Sequence, residues 1–307
     1  MAVGQQPPSR TLLWVVIGGG IFFIFVLAVF TLVYVAMRGD RGTREFAAFG
    51  DKIAIVDVEG VILDPRGVVE QLKRYGDDGS IKAIILRVNT PGGGAAASEE
   101  IYASVKRIRE QKKKRIVASI ETLGASGGYY VAAGTDKIFA NQSSIVGSIG
   151  VIAQWVNYAE LMRWAKMKDV TLTAGEFKDT GSPTREMTPK EREYLQGLID
   201  DMHGSFIRAV AVGRKLEEPR VRELANGKVW TGAQALELKL VDQIGDFQAA
   251  VDDTAKSVGI KGEPVLIRRD PERRTLLDVL FSDVSDLIPT RAKLMESHPA
   301  FYYLWKH

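Results

Sequence analysis

Ser126 is the residue of this chain whose surroundings best suit nucleophilic chemistry. It lies within Gly124–Tyr130, directly after the apolar, strand-like run Arg115–Ile120. Glycines on both sides of a serine, between a predicted strand and a predicted helix, let other backbone approach the hydroxyl. A sharp turn of this kind carries the nucleophilic serine of many hydrolases. The competing interpretation is a helix N-cap, in which the hydroxyl binds the first helical turn.

A serine nucleophile needs a base to remove its proton, and this chain is poor in the usual one. It has 3 histidines: His203 lies within a predicted long helix, and His298 and His307 lie near the C-terminus. A Ser-His-Asp triad is therefore poorly supplied, and lysine becomes the candidate base. Lys178 stands in a loop punctuated by glycine and proline, after the predicted strand Val170–Leu172.

The Lys178 amine can take the serine proton only in its neutral form. Burial without a counter-ion favours that form, whereas a nearby carboxylate opposes it. We therefore expect the adjacent Asp179 side chain to point away from the amine. The competing interpretation is an ordinary surface lysine, the default for such a residue in isolation.

The composition describes a globular protein and excludes several classes of site. Of the 307 residues, 46% are hydrophobic and 26% are charged, and the net charge is +3. This balance argues against intrinsic disorder and against nucleic-acid binding. The chain has no cysteine, which excludes disulfides and thiolate metal sites.

Leu12 to Met37 form an uncharged apolar segment, longer than the roughly 20 residues with which a helix crosses a bilayer. A cleaved signal peptide usually has an apolar core of about 7–15 residues and a small-residue cleavage site, and this segment fits neither feature. We predict an uncleaved membrane anchor. Arg38, Arg41 and Arg44 follow the span and favour a cytoplasmic location for the rest of the chain.

Beyond the anchor, apolar strands alternate with helical patterns. The predicted elements lie at 52–58, 68–76, 82–88, 98–111 and 116–120. This alternation predicts an α/β fold with a parallel sheet and helices on both of its faces. Ligand sites of such sheets lie at the carboxyl ends of the strands, where both the Gly92–Gly94 loop and Ser126 fall.

Thr188, Pro189 and Glu191 supply the N-cap, the first position and the capping box of a long predicted helix. Its apolar face should meet the core and comprises Leu195, Leu198, Ile199, Met202, Phe206, Ala209 and Val210. Near the C-terminus, the apolar stretch Phe301–Trp305 suggests docking on a membrane, on a neighbouring subunit or on its own domain.

Four segments occur in order along the chain: Asn89–Gly94, Gly124–Tyr130, Gly147–Val151 and Phe177–Asp179. Together they resemble the signal peptide peptidase A family, also called protease IV, in its short single-domain form. The resemblance covers about residues 52–255 and the N-terminal anchor. It implies a Clp-protease/crotonase-like fold, a repeated β-β-α spiral with a parallel sheet, preceded by one transmembrane helix.

The resemblance also implies a role for each candidate site residue. Ser126 is the nucleophile, Lys178 is the general base, and Ser148 is a helper whose hydroxyl binds the lysine amine. The backbone N–H groups of Gly93 and Gly127 form the oxyanion hole. Simple turn chemistry stays open as the alternative for Ser148. No metal or cofactor is implied.

Members of this family cut cleaved signal peptides and other apolar unfolded peptides. The resemblance therefore implies a membrane-anchored serine endopeptidase of the bacterial cytoplasmic membrane, with an extracytoplasmic catalytic domain, against the charge bias noted above. It also implies a ring-shaped homo-oligomer in which serine and lysine meet across a subunit boundary. We further hypothesise that the apolar tail 299–305 lies along the active-site groove, as C-terminal segments do in some relatives.

The expected organisation is a tail at 1–11, an anchor at 12–37, a linker at 38–51, a Ser-Lys peptidase domain at 52–260 and a C-terminal tail at 261–307. Three alternatives stay open. A membrane serine protease that partners stomatin-like proteins usually has further C-terminal spans. An acyl-CoA enzyme of the crotonase type needs no Ser-Lys pair. A non-catalytic membrane scaffold of the same fold predicts that a serine-reactive probe does not label Ser126.

Overall fold

The computed structural model describes residues 51–268, the strand of residues 301–304 and the single position Phe23. The predicted anchor at 12–37 therefore lies outside the described residues except at that one position. Across the described ranges, no helix is both long enough and apolar enough to cross a membrane.

One large sheet organises the described residues. Its strands are β1 Lys52–Glu59, β2 Ile81–Thr90, β4 Arg115–Ala125, β5 Lys137–Ala140, β6 Ile145–Gly147, β8 Val229–Thr231, β9 Gln243–Ile244 and β10 Val265–Arg268. The order is β10-β1-β2-β4-β5-β9, with β6 beside β4 and β8 beside β6. These pairs are parallel except for β6 with β8. The predicted α/β architecture with a parallel sheet is confirmed.

Helices cover both faces of this sheet. They are α1 Arg66–Asp77, α2 Ala95–Gln111, α3 Gly127–Ala133, α4 Ala159–Trp164, α5 Pro189–Arg214, α6 Glu218–Leu224, α7 Gly232–Glu237 and α8 Phe247–Ser257. Successive residues of β1 pack into hydrophobic cores on opposite faces of the sheet, because side chains alternate between the two faces of a strand. Val56 joins the large core that includes α2, α3 and α5, whereas Ile55 packs with Val251 and Ala255 of α8.

The long helix α5 begins as predicted. The Thr188 side chain accepts from the Glu191 N–H, and the Glu191 side chain accepts from the Thr188 N–H, which forms the capping box. The predicted apolar face is fully buried at Phe206, Ala209 and Val210. Its earlier members are only half-buried: Leu195, Leu198, Ile199 and Met202.

The predicted strand Val170–Leu172 is wrong, because these residues form no regular secondary structure. Val170 is 81% exposed and Leu172 is 94% exposed. Apolar and β-branched residues favour a strand only where a neighbouring strand and a core receive them, and this segment meets neither within the described residues.

A second, smaller sheet includes the segment Gly92–Gly94, which the sequence analysis treats as a loop. It contains β3 Gly92–Gly94, β7 Ile152–Ala153 and β11 Phe301–Leu304, in the order β3-β11-β7 with antiparallel pairing. The main sheet also takes in β10, which lies beyond the expected domain limit at 260 and pairs in parallel with β1.

The parallel pairing of β2 with β4 brings two loops to one edge of the main sheet. Thr90, the last residue of β2, pairs with Gly124 near the end of β4. The Gly92–Gly94 loop therefore emerges beside the Ser126 turn, at the carboxyl ends of adjacent strands, where sites of α/β sheets lie.

Candidate active site

Ser126 stands in a strained turn between β4 and α3. Its φ of 52° and ψ of −118° are unfavourable for a residue with a side chain, and such conformations persist where the surrounding structure enforces them. The Ser126 N–H donates to the Gly147 carbonyl at 2.7 Å, and the Ser126 carbonyl accepts from the Tyr130 N–H at 2.8 Å. These two bonds hold the residue between β6 and the first turn of α3.

The hydroxyl of Ser126 takes no part in that scaffold. The residue is 1% exposed, and its Oγ has no hydrogen-bond partner among the described residues. It does not cap α3, so the N-cap interpretation is wrong. A buried polar atom without a partner is rare and needs an explanation. A catalytic role is one such explanation, because a nucleophilic hydroxyl must stay free of structural hydrogen bonds.

Two glycines lie against this serine because no side chain would fit there. A Cβ on Gly127 would stand 2.3 Å from Ser98 Oγ and 3.2 Å from the Gly93 nitrogen. A Cβ on Gly93 would stand 2.1 Å from the Ile62 carbonyl oxygen. The structure thus brings Gly93, Gly127 and Ser126 together, which is the close backbone approach that an oxyanion hole needs.

Thr90 holds this cluster in place, and the sequence analysis missed it. It is fully buried, and its Oγ1 donates to the Gly60 carbonyl and accepts from the Gly92 N–H at 3.0 Å. A Cβ on Gly128 would stand 2.5 Å from Thr90 Cγ2, so the threonine contacts both loops. Its place between a buried strand and a Pro-Gly-Gly turn was the available signal.

Ser148 lies on the other side of the Ser126 turn. It follows Gly147, whose carbonyl accepts from the Ser126 N–H, and it has the same φ of 52°. The Ser148 N–H donates to the Lys228 carbonyl at 2.8 Å. The Ser148 side chain is buried. Because Gly147 binds Ser126, the structure places a second hydroxyl-bearing residue beside the nucleophile candidate.

Lys178 is placed differently. It lies in a series of turns in which its N–H donates to the Gly175 carbonyl at 3.2 Å, and its side chain is exposed. Within the described residues its amine forms no hydrogen bond with Ser126. The structure therefore brings Ser126, Gly93, Gly127 and Ser148 together, whereas no hydrogen bond among the described residues joins Lys178 to them. The Ser-Lys dyad stays a prediction.

The segment that carries Lys178 is an arm, residues 154–188, between β7 and α5. It folds on itself: the Tyr158 N–H donates to the Pro183 carbonyl at 2.8 Å, and Asn157 Nδ2 donates to the Arg185 carbonyl at 2.8 Å. Its apolar side chains are nevertheless largely exposed, and Trp164 reaches 82%. The arm has local order but little core of its own.

The Asp179 carboxylate is engaged by a cation. Arg185 Nε donates to Asp179 Oδ2 at 2.7 Å, in agreement with the expectation that this carboxylate turns away from the Lys178 amine. Arg185 also binds Glu191 through Nη1 at 2.9 Å. Together with hydrogen bonds from Thr188, Arg185 lowers the pKa of Glu191 from its ordinary 4.5 to about 2.

The strand β11 lies across this region. Its backbone pairs antiparallel with β3 on one side, Tyr303 opposite Gly93, and with β7 on the other, Tyr302 opposite Ile152. Residues 301–304 of the apolar tail therefore run beside the candidate oxyanion loop.

In the part of the chain that the structure describes, no three His, Asp or Glu side chains converge to hold a metal ion.

Comparison with known proteins bears on this geometry. The model of peptidase family S49 matches residues 108–261, a segment that contains both Ser126 and Lys178. A Synechocystis protein that carries the provisional name of a protease is 38% identical over 70% of this chain and 77% of its own length. An Enterococcus faecium protein provisionally named signal peptide peptidase SppA is 36% identical over 70% of this chain and 66% of its own.

Protease 4 of Haemophilus influenzae is 33% identical over 68% of this chain but only 35% of its own length. This chain thus spans about a third of that longer relative and most of the Synechocystis protein. The resemblance to the signal peptide peptidase A (protease IV) family is confirmed. The chain therefore belongs to peptidase family S49 and is a serine peptidase.

Proposed function

We propose that this protein is a membrane-anchored endopeptidase that hydrolyses cleaved signal peptides and other apolar, unfolded peptides through a Ser126–Lys178 dyad. The observation that carries the proposal is the buried Ser126 hydroxyl, unpartnered among the described residues and next to Gly93 and Gly127. The fold within which it acts is of the Clp-protease/crotonase type. The Enterococcus relative, whose name is that of a signal peptide peptidase, supports the substrate class.

The reaction is an acyl transfer. Ser126 Oγ attacks a peptide carbonyl carbon while the neutral Lys178 amine takes the hydroxyl proton. The N–H groups of Gly93 and Gly127 stabilise the oxyanion, each such donor lowering the barrier by about 3–4 kcal/mol. The Lys178 ammonium, oriented by Ser148, protonates the leaving amine, and the acyl-enzyme is then hydrolysed by a water that Lys178 deprotonates. The protein's own residues suffice for every step.

The small antiparallel sheet supports an extended peptide as substrate. The backbone of β11 pairs with β3 on one side and β7 on the other, and a substrate strand can use the same edges. Main-chain pairing of this kind binds peptides with little regard to sequence, as an enzyme for diverse signal peptides requires. The tail strand and a substrate would then compete for one groove.

The lysine comes from a second copy of the chain in this proposal. Within the described residues Ser126 Oγ has no hydrogen bond to Lys178, and the arm that carries the lysine exposes Trp164, Val170 and Leu172 at 82%, 81% and 94%. Exposed apolar surface of this kind marks an interaction site. Docking of the arm on the next protomer of a ring buries that surface and completes the dyad, which leaves an isolated protomer inactive.

The proposed location is the bacterial cytoplasmic membrane. Residues 12–37 form the single anchor in the bilayer, and the peptidase domain lies on the extracytoplasmic side. The uncharged length of this segment supports the anchor. A peptidase held at the surface meets apolar peptides as they leave the bilayer.

The first test compares the full-length protein with Ser126→Ala and Lys178→Ala in detergent micelles, on a fluorogenic peptide with an aliphatic residue before the scissile bond. We expect each variant to lose about 10⁴-fold or more in turnover. A mixture of the two variants should recover about a quarter of wild-type activity, because a head-to-tail interface pairs an intact serine with an intact lysine at one site in four.

The outcomes of this test separate the alternatives. No recovery in the mixture, from variants shown to exchange subunits, would contradict the shared dyad. Normal turnover by Lys178→Ala would contradict the base assignment. An assembled wild type that neither turns over peptide nor reacts with a serine-reactive probe, even after removal of residues 299–307, would favour a non-catalytic scaffold. Stabilisation of the protein by coenzyme A would favour a crotonase-type enzyme.

A further inference from the structure

Arg185 joins the turn that carries Lys178 to the start of α5. Its Nε donates to Asp179 Oδ2 at 2.7 Å, and its Nη2 donates to the Asp179 carbonyl at 2.9 Å. On the other side, Nη1 and Nη2 donate to the two carboxylate oxygens of Glu191. One guanidinium thus holds both the side chain and the backbone of the residue that follows Lys178, in the bidentate geometry that only arginine provides.

Glu191, which binds Arg185, is itself held in place by burial and by further hydrogen bonds. It is 5% exposed, and its Oε2 also accepts from the Thr188 N–H at 2.8 Å and the Thr188 Oγ1 at 2.9 Å. The carboxylate is part of the capping box that begins α5. Arg185 therefore connects the turn of Lys178 to the first turn of helix α5.

The charges around Lys178 follow one pattern. Glu176, on the same turn, pairs with Lys190 of α5 at 2.6 Å. Asp179 and Glu191 share Arg185. Between Glu176 and Glu191 the cations are Lys178, Arg185 and Lys190, and within the described residues Lys178 alone among them has no carboxylate partner.

The remaining charged groups near the turn do not alter this pattern. Glu186 is exposed, and only its carbonyl binds Arg185, at 3.1 Å. The carboxylate of Asp169 accepts from Thr184 Oγ1 at 2.7 Å. On α5, Tyr194 stacks against Phe177 with ring centroids 4.9 Å apart, and Arg192 is exposed. Asp179 directly follows Lys178 in the chain, and Arg185 holds its carboxylate.

We infer that Arg185 is a positioning residue for the peptidase reaction: it orients the Lys178 turn and keeps the Asp179 carboxylate from pairing with the Lys178 amine. The inference rests on the proposed Ser-Lys mechanism, in which the amine must be neutral to accept the serine proton. A free carboxylate within about 4–6 Å would favour the charged ammonium. Arginine removes that carboxylate and itself keeps its proton throughout the working range.

The test measures the pH dependence of kcat/KM for the full-length wild type, Arg185→Gln and Asp179→Asn. In Arg185→Gln the Asp179 carboxylate is no longer held by Arg185. The acidic limb of the profile should then move to higher pH, by roughly one unit. Asp179→Asn keeps an acceptor for Arg185 Nε but removes the negative charge, so its limb should move downward. The double variant should return toward the wild-type limb. Arg220→Gln changes an exposed arginine outside the arm that pairs with Glu223, and it should leave the limb unmoved.

Opposite displacement by the two single variants is a signature that a merely structural role would not produce. Should Arg185→Gln fail to fold, Asp179→Asn still decides, since it preserves the Arg185–Glu191 pair. Equal losses at every pH, with no displacement of the limb, would overturn the inference about Arg185 while Lys178→Ala remained inactive. Full activity of Lys178→Ala would instead overturn the proposed mechanism and this inference together.

Discussion

Ser126 and Lys178 occupy regions that differ in burial and in how they are held. The serine turn lies at the carboxyl ends of the strands of an eight-stranded sheet. It is closely packed: a Cβ on Gly93 or Gly127 would stand less than 3 Å from a neighbouring atom, and the adjacent Thr90 is fully buried. The lysine arm has exposed apolar side chains and is held by its own turns, by Arg185, and by contacts of Glu176 and Phe177 with α5. The comparison shows a buried, tightly packed serine turn and a largely exposed lysine arm within the same chain, and the proposed delivery of Lys178 from a second copy rests on that difference.

The largest expected effect concerns the rigidity of the serine side. Gly93→Ala places a Cβ 2.1 Å from the Ile62 carbonyl oxygen, which is backbone and cannot yield. We expect a loss of about 1–3 kcal/mol in the free energy of unfolding and at least about a 10²-fold loss in turnover. Urea unfolding and the peptide assay measure the two.

Gly197→Ala is the matched control, because nothing lies within 4 Å of a Cβ there. Gly197 lies in α5, where the change should stabilise the protein by about 0.5–1 kcal/mol. If Gly93→Ala were as active and as stable as Gly197→Ala, the close-packed oxyanion site would be refuted.

The second prediction concerns the arm. Val170→Ser with Leu172→Ser should leave the protomer's unfolding free energy within about 0.5 kcal/mol, because both side chains are exposed. The same pair should reduce the oligomer size and lower activity by about tenfold at low enzyme concentration. Light scattering and an activity titration against enzyme concentration measure these effects.

Val212→Ser supplies the control, since Val212 is 64% exposed on α5 outside the arm. It should change neither the oligomer nor the activity. Wild-type assembly and turnover in the double arm variant would mean that the arm's apolar surface has another occupant.

The smallest effect is a pH dependence at the junction of arm and helix. The pKa of Glu191 is lowered from 4.5 to about 2, chiefly by Arg185. A lowered acid pKa contributes stability that is present above the unfolded-state value and is lost as the pH falls through the folded one. The stability gap between wild type and Glu191→Gln should therefore be full above about pH 4.5 and shrink toward pH 2.

Glu176→Gln is the control for that gap, because the Glu176–Lys190 pair is exposed and such pairs contribute little. It should show a gap near zero at every pH. A Glu191→Gln gap that stayed constant from pH 5 to pH 2 would show that Arg185 does not stabilise the ionised carboxylate.

Much of the serine side could be read from local pattern. The alternating apolar residues of 52–58 indicated a strand, and the glycines around Ser126 indicated a turn with close backbone approach. Thr188, Pro189 and Glu191 indicated the start of α5. These features depend on residues within a few positions of each other, where stereochemistry and capping leave few choices.

The arm was harder to predict for a physical reason. Val170–Leu172 has the composition of a strand but meets no neighbouring strand within the described residues. Its β-strand propensity therefore does not lead to a strand. The first half of α5 has the apolar spacing of a core helix but is only half-buried. In both places the apolar pattern marks surface that the described residues leave at least partly exposed.

The sequence by itself determined which chemical groups are present: glycine-flanked serines, no cysteine, 3 histidines and a lysine in a loop punctuated by glycine and proline. The tertiary structure decided which of these groups meet. Parallel pairing of β2 with β4 joined Gly93 to Ser126, Thr90 linked both loops, and Arg185 joined Asp179 to Glu191. Such contacts depend on strand register and on the docking of distant segments, which the spacing of residues along a chain does not specify.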